Sequence, residues 1–351
     1  MAQDAVNAKP RRSRRAPSML DVARHANVST QTVSRVSNGL TNVDENTRAR
    51  VVESMQALGY RPNGAARALK SGRFHSIGVI TFTLATVGNM RTLEGITTRA
   101  AAADYTVTLI SIPPTVDAVS GAYSRLTAQA VDGVVIVFEA RLLDEGVIEL
   151  PPGLPVVVVD SNGGPEHPVI DTDQFDGASR ATEHLLDLGH ETVWHIAGPA
   201  DSFSAVHRLA AWQETLERHG RRVPPVIHGA WTTMSGYEAG RELAARDDVT
   251  AVFASNDQMA LGLLRALHEA GRDVPGDVSV VGFDDIDEAQ GFWPPLTSVH
   301  QDFAAVGSAA VDSLLARIDG GTVSDRVTLV QTELVVRSST GPAPTRSSAA
   351  R

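Results

Sequence analysis

The chain has 351 residues, with 31 Lys+Arg against 41 Asp+Glu, a net charge of −10, 42% hydrophobic residues and no cysteine. That length supports two or three domains with substantial cores; the lack of cysteine excludes disulfides and thiolate metal sites, and no run approaches the ~18 apolar residues of a membrane span. The charge is unevenly placed: residues 1–73 hold 13 Lys+Arg and 5 Asp+Glu, a net of +8, and residues 74–351 carry −18. A basic head on an acidic body predicts a polyanionic partner for the head alone.

The first 17 residues, "MAQDAVNAKPRRSRRAP", have no apolar segment behind their basic residues. They are read as a disordered arm rather than a secretory signal, so the expected location is the cytoplasm. The arm either lies along phosphates or is a solvated tail. Ser18 opens a first helix, with Asp21 at the capping-box position. In "DVARHANVSTQTVSRVSNG", Val22, Ala23 and Ala26 form one apolar face and Val33 and Val36 another, at helical spacing. Ser29 is a good N-cap for a second helix, and Asn27 sits where the turn calls for a positive φ. A third helix runs from about 44 to 58, with Val51, Val52, Met55 and Leu58 as its stripe and Gly59 as its stop.

On the second helix the inward valines leave Thr30, Gln31, Ser34 and Arg35 outside, without the Glu/Lys pairs of an ordinary solvated face. Gln and Arg can each bond two base-edge atoms in a major groove. A polar solvated face is the plainer reading, and the basic charge of the head weighs against it. Residues 63–74 follow, rich in Gly and Ala and with almost no apolar stripe, a coil unless something orders it.

From Ser76 the pattern changes to strands alternating with helices: "SIGVITF", "YTVTLIS", "DGVVIVF", "PVVVVD", "TVWHIAG", "TAVFAS" and "DVSVVGF". Continuous β-branched runs with helical crossovers indicate parallel sheets covered on both faces. About 260 residues is comfortable for two such sheets. The Ser/Pro/Gly-rich end, 339–351, is read as a disordered tail.

Ligands of open parallel sheets bind beyond the carboxyl ends of the strands. Those ends carry Asp160, Asn256, Asp257 and Asp284, with Ser204, Arg208 and Trp231 in following loops or helices. Carboxylate, amide and guanidinium groups can bond adjacent hydroxyls, and an indole can cover the C–H face of a sugar ring. Taken singly, Trp231 reads as a packing residue and Asn256 and Asp257 as helix caps. The acidic "FDDIDE" could hold a cation, but ligand hydroxyls on Asp284 with neighbours acting as caps fit better. "HETVWH" has its second His one position late for a zinc helix and lies on a strand, so no metal is expected. No nucleophile elbow, phosphate loop or dinucleotide fingerprint occurs, so neither an enzyme nor a resident cofactor is expected.

The segment "DVARHANVSTQTVSRVSNG…VDENTRARVVESMQALGYRPN" resembles the DNA-binding headpiece of the lactose-repressor (LacI/GalR) family. "HLLDLGH", "HRLAAWQETL", "ASNDQMALGLLRAL", "VSVVGFDDI" and "PPLTSVHQDF" resemble that family's effector domain, in the same order. The resemblance implies an all-α helix-turn-helix headpiece (18–62), a hinge (63–74) and a periplasmic-binding-protein-like α/β core (75–338) of two parallel-sheet subdomains. The first subdomain would take about 75–172 and 303–330, the second about 173–300 and 331–338. It implies that Thr30, Gln31 and Arg35 read bases, that Ser29, Ser34, Asn38 and Thr47 hold phosphates, and that Ala66 and Leu69 enter the minor groove. Asp160, Ser204, Arg208, Trp231, Asn256, Asp284 and Gln301 would line the effector site. Asn27 stands where the family usually has Gly, and "TLATVGNMRTLEGI" matches only loosely. No leucine-heptad helix follows the core, which implies a homodimer on palindromic operator DNA. The expected function is a repressor relieved by a small carbohydrate. The alternatives are a co-repressor-dependent repressor and a sugar-binding or sugar-processing protein with an incidental basic head.

Overall fold

Ser18 accepts from the Asp21 amide while the Asp21 carboxylate accepts from Ser18, and this reciprocal cap starts α1 (Met19–His25). The computed structural model describes residues 16–61, 72–137, 150, 153–160, 167–321 and 326–345. The chain divides into two units, 1–74 and 75–351. In the first unit Ser29 caps α2 (Thr30–Ser37), Asn27 takes φ 52° in the turn before it, and Asp44 and Gly59 bound α3 (Glu45–Leu58). Val22, Ala23, Ala26, Val33, Val36 and Val51 form the core of the three helices. Val52 is exposed, a correction to the predicted stripe; Ser54 is buried instead, its hydroxyl 3.0 Å from His25 Nδ1 and donating to Arg50 O. The predicted hinge residues Ala66 and Leu69 lie outside the described residues.

The second unit has two six-stranded sheets. The first, in the order β11-β5-β4-β3-β1-β2, contains β1 (Ser76–Thr81), β2 (Thr106–Ser111), β3 (Gly133–Val137), β4 (Val156–Val159), β5 (Val169–Thr172) and β11 (Val327–Val330), all parallel. The second, in the order β12-β10-β9-β8-β6-β7, contains β6 (Trp194–Ala197), β7 (Ile227–His228), β8 (Ala251–Ala254), β9 (Ser279–Asp284), β10 (Thr297–His300) and β12 (Glu333–Val335). Only its β10–β12 pair is antiparallel. The helices are α4 (Val87–Ala102), α5 (Val116–Ala128), α6 (Gln174–Asp187), α7 (Phe203–Arg218), α8 (Thr233–Ala244), α9 (Asp257–Glu269) and α10 (Phe303–Ile318). The fold class is the expected one: a helical headpiece and an α/β core of two parallel-dominated sheets.

The chain passes between the sheets three times, at 172–174, 300–303 and 330–333. The predicted tail boundary at 339 needs correction. Ser339 is fully buried, its hydroxyl donating to Val280 O at 2.6 Å and accepting from Thr297 N, and its carbonyl accepting from Val280 N. Gly341 and Ala343 continue this packing, against Ser279 and Leu188. Ser and Thr hydroxyls supply here the hydrogen bonds that apolar side chains cannot, so a composition typical of disorder is held in place.

Candidate functional site

In the headpiece, α2 turns Val33 and Val36 into the core and leaves Thr30 and Gln31 exposed, with Ser34 and Arg35 half-buried beside them. No acidic residue lies in its first turn, so nothing on the helix repels a polyanion there. Ser29 Oγ is engaged as the cap, accepting from Thr32 N at 3.1 Å. The Asn38 amide reaches Ser34 Oγ at 3.4 Å, and Thr47 donates its N–H to the Asp44 carboxylate at 3.0 Å. These contacts fix the polar side chains locally.

In the core, all seven predicted effector residues line one open cleft. Asp160 follows β4 in the first sheet; Ser204 and Arg208 lie on α7; Trp231, Asn256 and Asp284 stand at or just after the carboxyl ends of β7, β8 and β9. Gln301 lies on the second crossing between the sheets. Asp160, Trp231 and Asp284 have φ of 55°, 61° and 105°, left-handed values that a non-glycine residue keeps only when its surroundings impose them.

Arg208 is the hub. Its Nε donates to Gln174 Oε1 at 2.8 Å, one terminal nitrogen donates to Ser255 O and lies 3.7 Å from Asp284 Oδ1, and its guanidinium stacks 3.8 Å over the Phe283 ring. Gln301 donates to Asp284 at 2.6 Å and accepts from Gln174 at 3.3 Å. Two of the three crossings are thereby wired to the charged pair. Trp231 lies against Gly198, where a Cβ would come within 2.3 Å of the indole. Its carbonyl accepts from the Asn256 amide. Asn256 also caps α9 through Met259 N at 2.9 Å, so the cap reading holds for its oxygen while the residue still faces the cavity. Asp257 accepts from Ser298 Oγ and Ile286 N, away from the cavity lining.

The other flagged clusters part company. Asp285 pairs with Arg337 at 2.7 Å and Asp287 with Arg91 at 2.7 Å. His190 is buried between Thr250 and Ser279, and His195 between Phe253 O and Ser255. Among the described residues no group of three His, Cys, Asp or Glu is placed to hold a metal ion, and no helix is long and apolar enough to cross a membrane.

Residues 18–63 match the family model for bacterial regulatory proteins of the lacI family, and residues 182–340 match a periplasmic binding protein-like domain. The lactose operon repressor of Escherichia coli (strain K12) is 36% identical over 328 residues, 92% of this chain and 90% of that protein. The chain belongs to the LacI family. The HTH-type transcriptional repressor PurR of Haemophilus influenzae (strain PittEE) is 32% identical over 91% of this chain and 97% of its own length. The Lac repressor dimer bound to operator and the anti-inducer ONPF superimposes with a TM-score of 0.84 at 35% identity, covering 93% of this chain and 100% of that one. The CelR–cellobiose complex gives 0.67 at 33%, covering 92% and 99%. This LacI-family protein is a DNA-binding transcriptional repressor with a small-molecule-binding core.

The LacI-family cleft holds more than the predicted seven residues. Asn89 and Thr92 on α4, Asp171 on β5, Gln174 and Phe303 also line it. Burial pushes Asp171 up to about 7 and Asp284 up to about 6, the latter against the pull of the Arg208 charge. Burial lowers His195 to about 3, so it stays neutral. Both carboxyls have folded pKa values above the unfolded 3.8, so the folded state binds more protons in the intervening window. Their contribution to stability is therefore greatest at low pH and is lost as pH rises from about 4 to about 7, then levels off. Asp171→Asn, which keeps an acceptor for the Thr172 N–H, is expected to flatten that slope and raise the melting temperature at pH 8. An unchanged slope in thermal melts across this range would show that Asp171 is not the group responsible.

Proposed function

We propose that this repressor binds a palindromic operator as a homodimer, through the headpiece and the 63–74 hinge, and that a small carbohydrate in the cleft relieves that binding. One observation carries the carbohydrate reading: carboxylates, amides, a hydroxyl and a guanidinium from both sheets converge on one cavity beside an indole. These groups suit vicinal hydroxyls and an apolar ring face, and the cellobiose complex of the CelR relative is consistent with them. The mechanism follows from position. Asp160 and Asp171 belong to the first sheet and Arg208, Asn256 and Asp284 to the second, so a ligand bonding both favours one relative orientation of the two halves. An effector releases DNA only through its different affinity for the two orientations.

Selection from random duplexes with the full-length protein would yield the operator, and titration of labelled operator against a sugar panel tests the rest. One or more sugars are expected to weaken operator binding about 5–150-fold, with operator weakening sugar binding by the same factor. Sugar that tightened operator binding would make the ligand a co-repressor. No response to any sugar would remove the carbohydrate reading.

A further inference from the structure

Among the described residues the cavity wall carries three carboxylates, Asp160, Asp171 and Asp284, and one guanidinium, Arg208. Arg208 is committed to the second-sheet side, with Nε on Gln174, one terminal nitrogen on Ser255 O, and Asp284 beside it. Asp284 further accepts from Gln301. Asp171 is placed differently. It is 7% exposed, on β5 of the first sheet, and its hydrogen-bond donors are neutral: the Thr172 N–H at 2.7 Å and the Gln174 amide. A buried carboxyl held by neutral donors keeps its proton toward neutral pH, as the rise of Asp171 to about 7 against the pull of Arg208 indicates, and ionises fully only when a further cation reaches it. A sugar hydroxyl gives it one more neutral donor and does nothing to favour its ionised form over the protonated one. An anionic ligand worsens the imbalance. A metal ion does not suit it, because no three ligating side chains converge among the described residues. An ammonium group brings both a charge and three donors.

We propose that the effector is an amino sugar whose protonated amine seats against Asp171, and that Asp171 is the residue selecting the amine over a hydroxyl. The inference rests on the carbohydrate reading above and sharpens it. The remaining lining, with Asn89, Ser204, Asn256 and Trp231, is suited to a polyhydroxylated ring rather than to an aliphatic amine. Asp171 has no capping task on α6, because Asp173 caps that helix.

Calorimetry with the full-length protein tests this using matched probes: glucosamine against glucose, galactosamine against galactose, and the N-acetyl form of each amine as an uncharged control. At least one amino sugar is expected to bind about tenfold or more tighter than its neutral partner and its N-acetyl form, the size of one charge-assisted hydrogen bond. Asp171→Asn should bring the pair to within about twofold, chiefly by weakening the amine. Asp171→Ser, with thermal melts confirming a folded core, serves as the second variant. A neutral sugar binding wild type as tightly as its amine overturns the proposal and leaves the carbohydrate reading standing. A preference that survives both substitutions overturns the role of Asp171. If no sugar of either kind binds, the carbohydrate reading falls and this inference falls with it.

Discussion

Arg208→Ala is expected to abolish the effector response and to destabilise the core by about 3–5 kcal/mol, the loss typical when one partner of a buried ion pair is removed. Arg208 is 4% exposed, lies 3.7 Å from Asp284 and stacks on Phe283. Without it, Asp160, Asp171 and Asp284 would share a cavity with no cation among its described lining residues. The response is lost for a second reason. Arg208 and Asp284 are tied through Gln174 and Gln301 to two of the crossings between the sheets, so the group proposed to hold the ligand also touches the segments about which the two halves would reorient. Arg208→Lys restores a charge but not the planar fork that reaches Gln174 and Ser255 together. It is expected to recover part of the stability and little of the response. Thermal unfolding and an operator titration with and without effector measure the two effects. A near-native melting temperature with a normal response in Arg208→Ala would remove Arg208 from both roles.

The long β-branched runs announced seven of the twelve strands, because a strand buried on both faces leaves an unbroken apolar signature. β5, β7, β10, β11 and β12 escaped that reading. They have two to four residues each, and β5, "VIDT", ends in polar residues that resemble a helix start. Asp171 was hidden for that reason. It stands two positions before Asp173, a true N-cap, and nothing in the local pattern separates a capping carboxylate from one pointed into a cavity. Asp160, Ser204, Arg208, Asn256 and Asp284 were legible because each follows a strong strand, where polar side chains in α/β proteins meet ligands. Gln301 was reached by resemblance alone, since "TSVH" gives a weak strand signal. In the headpiece, caps and turn residues agreed with the structure at Ser18, Asn27, Ser29 and Gly59, because each is a local interaction that needs no knowledge of the rest of the chain. Val52 failed where helical spacing allowed two phases and Ser54 found a partner in His25.

Operator affinity is expected to fall by about a thousandfold or more between 50 and 200 mM salt, as for a protein neutralising six or more phosphates, and most of that slope should come from outside the folded headpiece. Residues 16–61 hold 5 Lys+Arg and 4 Asp+Glu, nearly balanced. The excess lies in residues 1–15, with 5 Lys+Arg and 1 Asp+Glu, and in residues 62–73, with 3 Lys+Arg and no acid. Phosphate contacts carry affinity without sequence information, whereas base contacts carry specificity. The two variants should therefore behave oppositely. Deleting residues 2–15 should weaken cognate and random duplexes alike and lower the salt slope by about 0.9 for each phosphate released. Arg35→Ala should cost about 1–3 kcal/mol on the cognate duplex, relax one base pair per half-site and barely touch random DNA, because Arg35 stands on the α2 face beside exposed Gln31. Anisotropy titrations over a salt series read both. An unchanged slope after the deletion would make the arm a solvated tail, and equal weakening of cognate and random DNA by Arg35→Ala would make that side chain a phosphate contact.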